Sequence, residues 1–150
     1  MGAGNSVVWS DQGFRGTVLG HLNIRPSGLW NWPTFTQVVT GRGAETVYVS
    51  GQVALDANGS LVGGDDLGAQ TEQAMRNLET ALDSAGATFA DVIKMTVFVV
   101  DYEPEHRPVI AAARDQFLST DRPPASTLVG VTALAAPEYL IEIEAVAVIG

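Results

Sequence analysis

The sequence predicts an α+β domain of order β-β-α-β-α-β-β, a mixed sheet with two helices on one face. Three observations lead to it. Two segments place apolar residues at steps of three and four, the period of an amphipathic helix. Five others are strand-length runs rich in Val, Ile, Thr and aromatics, bounded by turn-forming residues. Each helix also lies between two strands, so right-handed crossovers carry both helices to the same side of the sheet. A chain of 150 residues suits one domain with a proper core.

The elements follow in order. Residues 1–34 read as an irregular, Gly-rich extension that packs on the body or on a neighbour, with Trp30, Trp32 and Pro33 crowded into "GLWNWPTF". The domain proper spans 35–150. "TFTQVVT" and "TVYVSGQVAL" form a hairpin across "GRGAE". Asn58-Gly59 and Gly63-Gly64 then signal turns. In "LGAQTEQAMRNLETALDSAG" the stripe Met75, Leu78, Leu82 and Ala85 faces the core. Glu72 and Arg76 pair on the outer side, and Gly86 supplies the residue just past the helix end. Gln70, Thr71 and Gln73 read as capping and helix-surface groups.

"DVIKMTVFVV" is a buried strand with Ile93, Met95, Val97 and Val99 as its apolar row. "DYEPEHRPVIAAARDQFLST" is the second helix, with Pro108 in its first turn and Ile110, Ala113 and Phe117 inward. "PPASTLVGV" and "YLIEIEAVAVI" are the last strands. With both helices on one face, the other apolar face needs a cover that the chain cannot supply, so self-association is expected.

Composition narrows function. Asp plus Glu outnumber Lys plus Arg by 17 to 8, a net charge of −9 with no basic stripe, which argues against nucleic-acid binding. With no cysteine there is no disulfide framework or thiolate chemistry. His21 and His106 are isolated, so no metal site is expected, and no cofactor motif stands out. No apolar run reaches the ~20 residues of a membrane span, and no secretory leader pattern is visible, so a cytoplasmic location is the expectation.

The stretches "YVSGQVAL", "QTEQAMRNLE", "DVIKMTVFVVD", "PPAST" and "IEIEAVAV", in this order over residues 35–149, resemble the Rid (YjgF, RidA-like) family of reactive intermediate deaminases. The resemblance implies a chorismate-mutase-like fold and a homotrimeric barrel with small-molecule sites in the clefts between subunits. It also implies hydrolysis of imino and enamine acids to oxo acids and ammonia. That chemistry needs a cation for the substrate carboxylate and a positioned water.

By the resemblance, Glu142 matches the water-holding Glu, and Ser50 and Gly51 match the pocket-lining "SGQ" segment. The deaminating members read Pro-Ala-Arg-Ser where this chain reads Pro124-Ala125-Ser126-Thr127, so Ser126 stands where the carboxylate-gripping Arg is expected. Phe35 replaces a common Tyr and Leu128 a common Cys; with Thr127 they complete the expected substrate-binding set. A substitute cation from Arg25, Arg42, Arg107, Arg114 or Arg122 stays open, with reach from a neighbouring subunit in view.

Plain structural readings stand beside these. Alternation alone makes Glu142 and Glu144 an exposed face, Ser126 and Thr127 strand-start groups, and Ser50-Gly51 a bulge. Lys94 reads as a sheet-edge residue, and Trp30, Trp32 and Phe35 as interface packing. The expected function is a Rid-type imine or enamine hydrolase of altered substrate class. The alternatives are a non-catalytic ligand-binding or regulatory trimer and, least favoured, an endoribonuclease.

Overall fold

A computed structural model describes residues 22–24, 26–30, 38–41, 45–119 and 123–150. Its elements are β1 (Leu22–Ile24), β2 (Val38–Gly41), β3 (Glu45–Gln52), α1 (Leu67–Ser84), β4 (Val92–Val100), α2 (His106–Arg114), β5 (Ala125–Val131) and β6 (Ile141–Ile149). The predicted order is present. The additions are β1, which lies inside the segment read as an irregular extension, and a 3-10 turn at Phe89–Asp91.

The six strands form one sheet in the order β1-β2-β3-β6-β4-β5. Only β4 and β5 run parallel, because α2 carries the chain between them; every other pair is antiparallel. β6 returns between β3 and β4 and ties the two halves of the sheet together.

α1 forms because its apolar stripe matches the helical period. Asp66 caps its first turn by accepting from the Ala69 amide at 3.0 Å. Gly86, at φ +74°, ends it in the left-handed region. Met75, Leu78 and Leu82 are fully buried against Val47, Val97, Ile141 and Ile143 in one core cluster. α2 lies beside α1 and adds Ile110 to that core. Pro108 sits in its first turn, as expected, and Phe117 lies just beyond its end, packed on the core and against Phe89.

Two expectations are corrected. Ile93 is not part of the buried row of β4. A register shift between Val92 and Lys94 makes Val92 the buried residue and leaves Ile93 exposed, since one extra residue in a strand moves its side chain out of the alternation. Gln70 and Thr71 are not surface groups but fully buried. The Gln70 amide donates to the carbonyls of Gly64 (2.6 Å) and Glu138 (2.9 Å), and its oxygen accepts from the Leu140 amide (3.0 Å). Gln70 therefore links the start of α1 to the loop that leads into β6. Thr71 donates to the Leu67 carbonyl at 2.6 Å.

The helix-free face of the sheet keeps Tyr48, Val129 and Val148 exposed. Trp30 lies against the tight turn at Gly59, where a Cβ would fall 2.9 Å from its ring. No helix among the described residues is long and apolar enough to cross a membrane.

Candidate functional site

The sheet register sorts the candidates onto two faces. Met95, Val97 and Val99 point into the core, and their partners on β5 are Ser126, Leu128 and Gly130. Side chains alternate along a strand, so Thr127 points to the opposite, helix-free face. Glu142, paired with Phe98, and Glu144, paired with Thr96, point there too, because Ile141 and Ile143 fill the core.

On the helix-free face, Glu142 meets Gly51. β3 and β6 lose register between Val49 and Gln52, and the bulge brings the Gly51 backbone beneath the Glu142 side chain. A Cβ on Gly51 would overlap the carboxyl, 2.6 Å from Cδ and closer still to Oε1. Only glycine leaves this space open. Ser50 flanks the bulge, and its carbonyl accepts from the Gln52 amide at 3.1 Å. Burial, and then the charge of neighbouring Glu144, raises the Glu142 pKa above the ordinary carboxylate value. Tyr139, three residues before it, is buried; burial, then Glu138 and Glu142, raises its phenol.

Thr127 accepts a hydrogen bond from Lys94 Nζ, which also donates to the Met95 carbonyl at 3.0 Å. Lys94 is thus held along the β4–β5 seam, with no acidic partner among the described residues. Leu128 is partly buried and packs on the core.

Ser126 belongs to a different neighbourhood. Arg114, the last residue of α2, donates from Nη1 to Ser126 Oγ at 3.1 Å. This arginine reaches the serine within one chain. A parallel crossover delivers the C-terminal end of α2 to the start of β5, and that chain path was the signal for it in the sequence. Phe35, Arg25, Arg42 and Arg122 lie outside the described residues.

The structure therefore joins Glu142 to Gly51 and Ser126 to Arg114, and does not join the two groups within one chain. A shallow depression beside Gly51, lined by Trp30, Gln52, Val53 and Asn77 among others, has room for little more than a water molecule. No cluster of three or more His, Cys, Asp or Glu side chains able to hold a metal occurs among the described residues.

The family model described as Endoribonuclease L-PSP matches residues 32–149. The chain belongs to the Rid/YjgF family. Among solved structures, a Rid-family protein of unknown function from Yersinia pestis, YyfB, is 42% identical, with 86% of this chain and 98% of that one covered at a TM-score of 0.67. A Mycobacterium tuberculosis member of the YjgF/YER057c/UK114 family is 35% identical over 78% of this chain and 88% of its own, with a TM-score of 0.63. RidA from the Antarctic bacterium Psychrobacter is 29% identical, covering 85% of this Rid chain and 99% of its own, with a TM-score of 0.75. Family membership makes this a small-molecule-processing Rid domain with the chorismate-mutase-like fold.

Proposed function

We propose that this Rid protein hydrolyses a small, reactive imine or enamine-type metabolite in clefts between the subunits of a homotrimer. Its substrate class is shifted because Ser126 stands where deaminating relatives carry an arginine. The Glu142 carboxyl carries the reading. It is half-buried over Gly51, accepts no hydrogen bond from the described residues, and has a raised pKa. A carboxyl in that condition suits a proton carrier.

The chemistry balances around one water. The water oxygen adds to the C=N carbon, the π pair moves to nitrogen, and Glu142 takes a water proton. Glu142 returns that proton to nitrogen, which gives a carbinolamine; Glu142 then carries the remaining hydroxyl proton to nitrogen as the C–N bond breaks, so the C=O bond forms and ammonia leaves. Gly51 contributes by leaving the carboxyl its place, and Ser50 lines the approach.

The exposed Tyr48, Val129 and Val148 support assembly through the helix-free face, which would cover them. The net charge of −9 and the neighbouring Glu142 and Glu144 disfavour a polyanionic RNA substrate. The test is to generate 2-aminoacrylate or 2-iminobutyrate in situ with a dehydratase and follow its decay with and without the protein. Faster decay that Glu142→Gln abolishes supports hydrolysis at Glu142 and overturns the shift in substrate class. Unchanged decay of these acids, with faster decay of an uncharged imine that Glu142→Gln abolishes, supports both, and unchanged decay of both kinds with assembled wild-type protein removes the reaction.

A further inference from the structure

The helix-free face carries two opposite charges that do not meet within one chain. Lys94 and Thr96 both point to it from β4, alternating with the buried Met95. Lys94 lies opposite Val146 and Thr96 opposite Glu144, so Lys94 and Glu144 are diagonal neighbours. Such pairs lie about 7–8 Å apart, within reach of a long side chain. Lys94 turns the other way. Its Nζ donates to the Thr127 hydroxyl on β5 and to the Met95 carbonyl at 3.0 Å, on the side of β4 away from β6. Glu144 stays exposed, and neither residue has an ion-pair partner among the described residues. Arg76, Arg107 and Arg114 lie on the helices, so Lys94 is the cation that this face offers among the described residues.

Tyr48, Val129 and Val148 are exposed on the same face. Glu144 and Val148 project from one row of β6, so a layer that covers the valine takes the carboxylate out of water too. Burying a carboxylate without a cation is strongly unfavourable. The covering surface must therefore bring a positive charge. A second copy of this chain does so, because Lys94 uses two of its three hydrogens within its own chain and keeps one.

We infer that Lys94 of one copy forms an ion pair with Glu144 of the next, across the contact that covers the helix-free face. The arrangement has a direction. Lys94 leans toward β5, the edge strand, whereas Glu144 stands on β6 inside the sheet. The edge of one copy thus meets the middle of its neighbour's sheet, a head-to-tail contact that closes into a ring. Glu142 precedes Glu144 by two residues on the same row, so the ammonium of one copy stands beside the Glu142 carboxyl of another. That site is then incomplete in a single chain. The inference deepens the assembly stated in the proposed function and rests on it, but not on the imine reaction.

The test is light scattering of the full chain over a dilution series, which gives the dissociation constant of the assembly. Lys94→Glu or Glu144→Lys sets like charges together and should raise that constant at least about 100-fold. Combining Lys94→Glu with Glu144→Lys restores an opposite pair and should return it to within about tenfold of wild type. If a reversal disturbs the sheet itself, seen by circular dichroism, a neutral cycle replaces it. Lys94→Gln and Glu144→Gln should each weaken assembly about tenfold, and together no more than either alone. At concentrations well above the raised constant these neutral variants stay assembled.

Reversals that leave assembly unchanged, a double reversal no better than the single ones, or losses that add in the neutral cycle overturn the inference and leave assembly standing. A wild-type chain that is monomeric at every concentration overturns both. The reaction is decided separately, by the dehydratase assay.

Discussion

The Glu142 carboxyl stands in the volume that a side chain at Gly51 would need, 2.6 Å from Cδ to the missing Cβ. The two residues come from β6 and β3 and meet only because β3 bulges between Val49 and Gln52. Local backbone geometry, not a hydrogen bond, fixes where the carboxyl sits.

Gly51→Ala should therefore displace Glu142 while leaving the rest of the fold in place. Overpacking of this kind costs about 1–3 kcal/mol, read by urea unfolding. If the displaced carboxyl is the proton carrier, the rate of imine decay falls by roughly 100-fold, since misplacement of about 1 Å has that effect. Ser50→Ala, which removes only a hydroxyl, should do much less in the same assay.

The raised pKa of Glu142 has a signed consequence for stability. The folded state holds its proton more tightly than the unfolded chain, so the group destabilises once ionised. Stability from this source is fully present below the ordinary carboxylate pKa, about 4.3, and is lost as pH rises through the folded value. Glu142→Gln should thus raise the melting temperature at pH 7, measured at one fixed protein concentration, and the gain should vanish on acidification. A gain independent of pH would contradict burial as the cause.

Glu144 contributes to that shift by its charge. Removing it with Glu144→Gln should move the acid limb of the pH–rate profile to lower pH. Near pH 7 the rate should change little.

Gln70 makes three hydrogen bonds across the junction of α1 and the β6 approach. Gln70→Leu fills the same space but leaves two carbonyls and an amide unpaired. Unsatisfied buried groups cost about 1–3 kcal/mol each, so urea unfolding should show a loss of at least about 2 kcal/mol. The Glu72–Arg76 pair is an exposed contrast: Arg76→Ala should cost under about 1 kcal/mol.

Val129→Lys and Val148→Asp place charge on the helix-free face without touching the core. If that face is the contact between copies, light scattering will show a smaller species for each variant. An unchanged mass would place the contact elsewhere.

The element order was legible because apolar spacing reports which side chains face inward. Met75, Leu78 and Leu82 on α1, and Met95, Val97 and Val99 on β4, follow their periods and are buried. Ile93 escaped that logic because a one-residue bulge breaks the count, and nothing in "DVIK" marks it. Gln70 escaped because a polar side chain gives no apolar signal, and its three partners are distant in sequence or carried by backbone. Glu142 could not be told from Glu144 by alternation, since both face the same way; the bulge beneath Glu142 separates them. Arg114 was one of several arginines on equal footing until the crossover set it beside Ser126.

Glu142 and Ser126 lie on opposite faces of the same sheet, with β4 between their strands. A ligand of a few heavy atoms cannot pass through a hydrogen-bonded sheet, so a molecule touching both must be gripped by one copy and worked on by another. Rate per mole of chain would then drop steeply on dilution below the point where copies separate.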